Sequence, residues 1–120
     1  MKFVIGGQIE KEKIAEVVRR EAGENATSVT VMGDIEAAMA LKSGAADYYF
    51  GACNTGGGGA LAMAIAIAGA NECITVGMPG KILSNEDIIA GVKAGKKAFG
   101  FTGQDTEIVV PVIIRAILSV

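Results

Sequence analysis

Apolar residues fall in short continuous blocks separated by longer stretches of mixed polarity. Phe3, Val4 and Ile5 form one block, closed by Gly6 and Gly7, and similar blocks stand at 28–32, 48–53, 73–76 and 99–102. Short apolar runs without polar alternation predict strands covered on both faces. Between them, Ile14, Val17, Val18 and Ala22 recur at helical spacing, which predicts a helix over 10–22 with Gly23 at its end. A second helix opens at Asp34, a plausible N-cap, with Ile35, Ala38 and Met39 on one face, and stops at Gly44. Residues 60–68 predict a helix apolar on all sides, a pattern that calls for burial all round. Ser84 caps a fourth helix running to about Lys97, and residues 105–118 close the chain as a fifth.

Strict alternation of strand and helix predicts a single α/β domain over residues 1–120. The expected architecture is a three-layer α/β/α sandwich with a mostly parallel five-stranded sheet. A flavodoxin-like, Rossmann-like strand order 2-1-3-4-5 suits this length and right-handed crossovers. Pro111 deletes a helical hydrogen bond, so a kink or a later start of the last helix is expected. That helix carries Val109, Val110, Val112, Ile113, Ile114, Ile117 and Leu118, more than one core-facing stripe uses. The surplus predicts a homo-oligomer formed through the C-terminal helix.

Composition narrows the function classes. The 120 residues are 51% hydrophobic and 20% charged, which excludes a disordered segment, and 17 glycines with only two prolines and no triplet period exclude a collagen-like chain. A formal charge of −2 with no basic stripe gives no support for nucleic-acid binding. The longest apolar run, residues 60–70, is short of the ~20 residues of a membrane span, and the start lacks a secretory signal, so a cytoplasmic protein is expected. Two cysteines make no disulfide framework, and the absence of histidine removes the usual zinc ligand and the commonest general base. No metal and no cofactor is expected.

Every predicted strand ends in a glycine-containing or polar turn, and a parallel sheet gathers these turns on one edge, where ligands bind. The richest turn is Cys53-Asn54-Thr55-Gly56-Gly57-Gly58-Gly59, leading straight into the apolar helix. Glycine N–H groups and a helix N-terminus make an anion site, and Thr55 adds a hydroxyl. Turn-forming and close packing are the alternative use of these glycines. The Lys and Ser/Thr of a P-loop are missing, since Ala60 and Leu61 follow, and the Gly57-x-Gly59-x-x-Ala62 match to a dinucleotide pattern follows the third strand, not the first. Gln8, Lys81 and Gln104 are expected on the rim. Cys53, at a strand end beside a helix N-terminus, is the candidate base or nucleophile, with a buried small hydrophobe as the alternative. Cys73 is expected to be structural, and Asp34 and Asp105 to be helix caps. The leading expectation is binding of a small anionic metabolite, phosphorylated ones included. One alternative is an enzyme in which Cys53 takes a proton next to a carbonyl, and another is an interaction subunit using its apolar helices.

The segment Asp47–Gly59 resembles the strand–Cys–x–Thr–Gly–x–Gly turn of B-type ribose-5-phosphate and galactose-6-phosphate isomerases. That resemblance implies Cys53 as the proton-abstracting base, with Thr55 and the backbone of residues 56–59 holding the enediolate charge. Over nearly its whole length the chain resembles the YhfU-like family of small bacterial proteins. The resemblance is carried by residues 48–59, the Ala-rich helix, Thr75-Val76-Gly77-Met78-Pro79-Gly80 and residues 96–107. Genes of that family accompany membrane transporters and cofactor-dependent metabolic enzymes, which implies a role in small-molecule uptake or catabolism.

Overall fold

The computed structural model describes residues 1–54 and 58–120. Its elements are β1 (Lys2–Ile5), α1 (Lys11–Ala22), β2 (Ser28–Val31), α2 (Asp34–Ser43), β3 (Tyr48–Cys53), α3 (Gly58–Ala68) and β4 (Cys73–Thr75). A small hairpin of β5 (Gly77–Met78) and β6 (Lys81–Ile82) follows, then α4 (Asn85–Lys93), β7 (Ala98–Thr102) and α5 (Thr106–Ser119). The hairpin, turning at Pro79 and Gly80, was not expected from the sequence.

The five-stranded sheet is parallel throughout, in the order β2-β1-β3-β7-β4, with helices on both faces. The α/β sandwich is as expected, but the strand order is not. Counting only the main-sheet strands it is 2-1-3-5-4, because the last strand enters between the third and fourth rather than at the edge. Burial explains the exchange. Every residue of β7 is buried, including Phe99 and Phe101, whereas β4 is three residues long and only half-buried. The longer, fully buried strand with its two phenylalanines takes the interior position and the short one takes the edge.

The exchange also settles the layers. Helix α5 packs between α1 and α4 on one face, while α2 packs on α3 on the other. On the first face, Phe3, Ile5, Phe50, Phe99 and Phe101 meet Ile14, Val18, Ile88, Val110, Ile113 and Ile117 in one core. The rings of Phe50 and Phe99 lie 5.5 Å apart and those of Phe3 and Phe50 6.1 Å apart. The second core joins Val4, Tyr49 and Ala98 to Ala37, Leu41, Leu61 and Ala64. Gly100 admits Leu61 there: a Cβ at Gly100 would stand 2.6 Å from Leu61 Cγ.

As the middle helix of its layer, α5 uses its apolar surplus inside the chain. Val109, Val110, Ile113, Ile114, Ala116 and Ile117 are buried, and Ile108 and Leu118 remain exposed. The helix runs unbroken through Pro111, starting at Thr106. Helix α3 departs from its expected burial. Ala60, Leu61 and Ala64 face the sheet, but Ile65 is 41% exposed, as Ile35 and Met39 of α2 also are, because only one side of an outer helix meets the sheet. Ser84 Oγ accepts the Asp87 N–H at 3.1 Å, the expected cap. Asp34 does not cap; Gly33 holds the N-cap position and Asp34 is the first helical residue. Asp105 occupies the N-cap position of α5 without a capping side-chain bond. Helix α4 stops at Lys93, short of Lys97, as Gly95 adopts φ +96° just beyond it. Among the described residues no helix is long and apolar enough to cross a membrane.

Candidate functional site

The carboxyl edge of the sheet is organised by the turn after β1. Gly7 has φ +75°, and a Cβ there would sit 2.5 Å from Ala52 N and 2.8 Å from Gly51 Cα, so only glycine lets the turn lie against β3. The turn is strapped down by three bonds. Gly7 N–H donates to Tyr49 Oη at 3.1 Å, and the N–H groups of Gln8 and Ile9 donate to Ala52 O at 2.8 and 3.3 Å. Burial, and then the nearby Asp34 carboxylate, push the Tyr49 phenol well above its ordinary pKa, so it stays a neutral acceptor for Gly7. Asp34 Oδ1 is buried with no hydrogen-bond partner among the described residues.

The strap delivers the next residues to a cleft of about 370 Å³. Ile9, Glu10 and Lys13 line it from the start of α1, Asn54 from the end of β3, Pro79 from the hairpin, and Thr102, Gly103 and Gln104 from the end of β7. Glu10 has φ +57°, the only non-glycine residue with positive φ among those described. Gly103 makes room for it: a Cβ at that position would fall 2.8 Å from Glu10 Cγ and 3.0 Å from Ile9 Cδ1. Lys13 is the one cation of the described lining and Glu10 its one carboxylate. Thr102 is 5% exposed, and its Oγ1 has no hydrogen-bond partner among the described residues.

Of the residues singled out in the sequence, Asn54 and Gln104 line this cleft. Cys53, Gln8 and Gly59 come together next to it. A Cβ on Gly59 would stand 3.4 Å from Cys53 Sγ and 3.5 Å from both Gln8 Nε2 and Oε1. Cys53 is 2% exposed and pairs in register with Thr102. Gly58 opens α3, while Thr55, Gly56 and Gly57 lie outside the described residues. Lys81 is exposed on β6 and is not among the lining residues; Lys13 supplies the positive charge instead. Cys73 sits at the opposite end of the sheet, in register with Ala98, its Sγ 3.4 Å from Gly69 O, and burial raises its thiol pKa. Sequence reading missed Glu10, Lys13 and Thr102. The available signal was positional: the first turn of a helix following a parallel strand and the last residue of another strand share the ligand edge.

The chain is thus a doubly wound α/β protein with a polar cleft at the carboxyl ends of its strands. It belongs to a family described as protein of unknown function DUF2620, whose model matches residues 1–117. It is similar to the uncharacterized protein YhfU of Escherichia coli strain K12, 39% identical over 115 residues that cover 96% of this chain and 97% of that one. YhfU of Shigella flexneri gives the same identity and coverage. The whole-length resemblance carried by the strand and turn motifs is therefore one of family. No solved structure matches the chain.

Proposed function

We propose that this chain binds a small anionic metabolite in the cleft at the carboxyl edge of its sheet. Lys13 is the counter-charge, and Asn54, Gln104 and the start of α3 provide hydrogen-bonding groups. The observation that carries the reading is the convergence of one cation and two carboxamides on a cleft formed by the ends of β1, β3 and β7. Its volume of about 370 Å³ lies in the ~300–1,000 Å³ range of small-molecule sites. The glycine-led α3 begins against Cys53, the residue before Asn54, and brings N–H donors and the positive end of its dipole to that side. Binding is favoured over catalysis because the Cys53 thiol is buried and does not line the cleft, whereas its neighbour Asn54 does. A cytoplasmic setting fits the composition.

Thermal-shift titration tests this with inorganic phosphate, sugar phosphates, small carboxylates and nucleotides. Ligand at ~100 times its Kd stabilises by ~2.7 kcal/mol, on the order of 10 °C for a domain of this size. Lys13→Met should abolish the shift while leaving the unliganded melting temperature near that of the wild type. Absence of any shift across the panel refutes the reading. Proton transfer by Cys53 is the second reading, favoured by the packing of its Sγ against Gly59 at the start of α3. Cys53→Ser that keeps binding but loses turnover would establish it.

A further inference from the structure

The cleft carries more polar groups than a bare anion requires. This inference rests on the binding reading and concerns what else the ligand must present. The Glu10 carboxylate forms no ion pair or hydrogen bond among the described residues, and Lys13, one helical turn on, does not pair with it. A carboxylate only accepts, so a ligand beside it must bring a donor. The backbone of Glu10 stands in the left-handed region, disfavoured for any residue with a Cβ, and its side-chain stem occupies the space that Gly103 leaves empty. Such strain at a cleft wall is a mark of a functional position.

Thr102 is a second, independent observation. A hydroxyl buried to 95% normally finds a partner, yet its Oγ1 has none among the described residues, at a position on the cleft wall. Valine would fill the same space without that cost.

We propose that the ligand is a hydroxylated anion. Its acid group faces Lys13, one of its hydroxyls donates to the Glu10 carboxylate, and the Thr102 hydroxyl bonds a further ligand oxygen. Inorganic phosphate would offer the Glu10 carboxylate only its own acidic hydroxyl on a centre that the carboxylate repels, and a polyanion such as a nucleoside triphosphate would meet one cation and one opposing carboxylate.

Calorimetric titration with two matched pairs tests this: glycerol 3-phosphate against propyl phosphate, and glycerate against propionate. Within each pair the acid group and carbon count are the same and only the hydroxyls differ. Wild type should bind the hydroxylated member of at least one pair tenfold or more tightly than its partner. Glu10→Gln and Thr102→Val should each reduce that preference at least fivefold. Unliganded Thr102→Val should melt no lower than wild type, since it removes a hydroxyl without a partner. Equal affinity for both members of each pair overturns the inference and leaves anion binding standing. Failure of all four to bind also overturns it, and the wider thermal-shift panel then decides the binding reading separately. A lower melting temperature for unliganded Thr102→Val overturns the role of Thr102, because it would show the hydroxyl supporting the fold.

Discussion

Gly7→Ala should damage both the fold and the cleft, and two costs can be separated. The first is conformational. At φ +75° a residue with a Cβ is disfavoured by roughly 1–2 kcal/mol. The second is steric: the new methyl would stand 2.5 Å from Ala52 N, 2.8 Å from Gly51 Cα and 2.9 Å from Ala52 O. All three are backbone atoms of β3, held in the sheet between β1 and β7, so no side-chain rotation relieves the overlap. Crowding of this kind costs about 1–3 kcal/mol. Together they give about 2–5 kcal/mol, a large part of the stability of such a domain. With a urea m-value near ~2 kcal/mol/M, the unfolding midpoint should fall by roughly 1–2.5 M. Gly44→Ala is the control. Gly44 has φ +83° and nothing within 4 Å of its would-be Cβ, so only the conformational cost applies, roughly 0.5–1 M at the same m-value. Equal midpoint shifts in the two variants would refute the claim that close approach to β3 dictates glycine at position 7.

Tyr49→Phe removes the acceptor of the Gly7 N–H and should cost about 1–3 kcal/mol in urea unfolding. Burial raises both tyrosine pKa values, that of Tyr49 well above its ordinary value, so Tyr49 should not contribute to a phenolate absorbance step near pH 10; a full two-tyrosine step there would contradict the packing. The folded chain keeps those protons where the unfolded chain loses them, so stability should fall as pH rises above about 10, and fall less steeply in Tyr49→Phe. Gly100→Ala should cost about 1–3 kcal/mol by overlap with Leu61 and Leu61→Ala about 2–5; the double variant should lose at least ~1 kcal/mol less than their sum, whereas simple additivity would break the proposed contact. Ile117→Asp should abolish cooperative unfolding, because Ile117 is buried within the chain; a folded, dissociated species by sedimentation would instead make α5 a subunit interface.

What was legible in the sequence was what local pattern alone decides. Continuous blocks such as Phe3–Ile5 and Tyr48–Cys53 could only be strands covered on both faces, and the Gly6-Gly7 and Gly33 breaks marked the carboxyl edge. Misreadings arose where tertiary competition decides. The blocks at 73–76 and 99–102 both read as strands in isolation, and which of them goes inside is decided by packing, where β7 brings Phe99 and Phe101 to one core and Gly100 opposite Leu61 to the other. The Ala-rich helix showed its apolar surface but not that Ile65 would be left exposed on its outer side. Lys81 and Lys13 both follow strands; that Lys13 reaches the cleft depends on the left-handed turn at Glu10, for which a glutamate gives no warning.

The strand exchange is also what brings the cleft residues together. Helices α1 and α5 leave the ends of β1 and β7 on one face, whereas α3 leaves β3 on the other, so β3 diverges from both its neighbours. Divergence of successive helices opens a crevice at a strand end, and here a single cleft opens around Asn54. From the β1 side it receives Ile9, Glu10 and Lys13, and from the β7 side Thr102, Gly103 and Gln104. In the order 2-1-3-4-5, β3 would adjoin β4, and right-handed crossovers would send α4 to the face of α3. Thr102 would then end an edge strand two positions from Asn54, and Gly103 could not lie against Glu10. Register with Cys53 and contact with Glu10 both follow from β7 taking the interior place, so the packing that buries Phe99 and Phe101 also assembles the polar wall of the cleft.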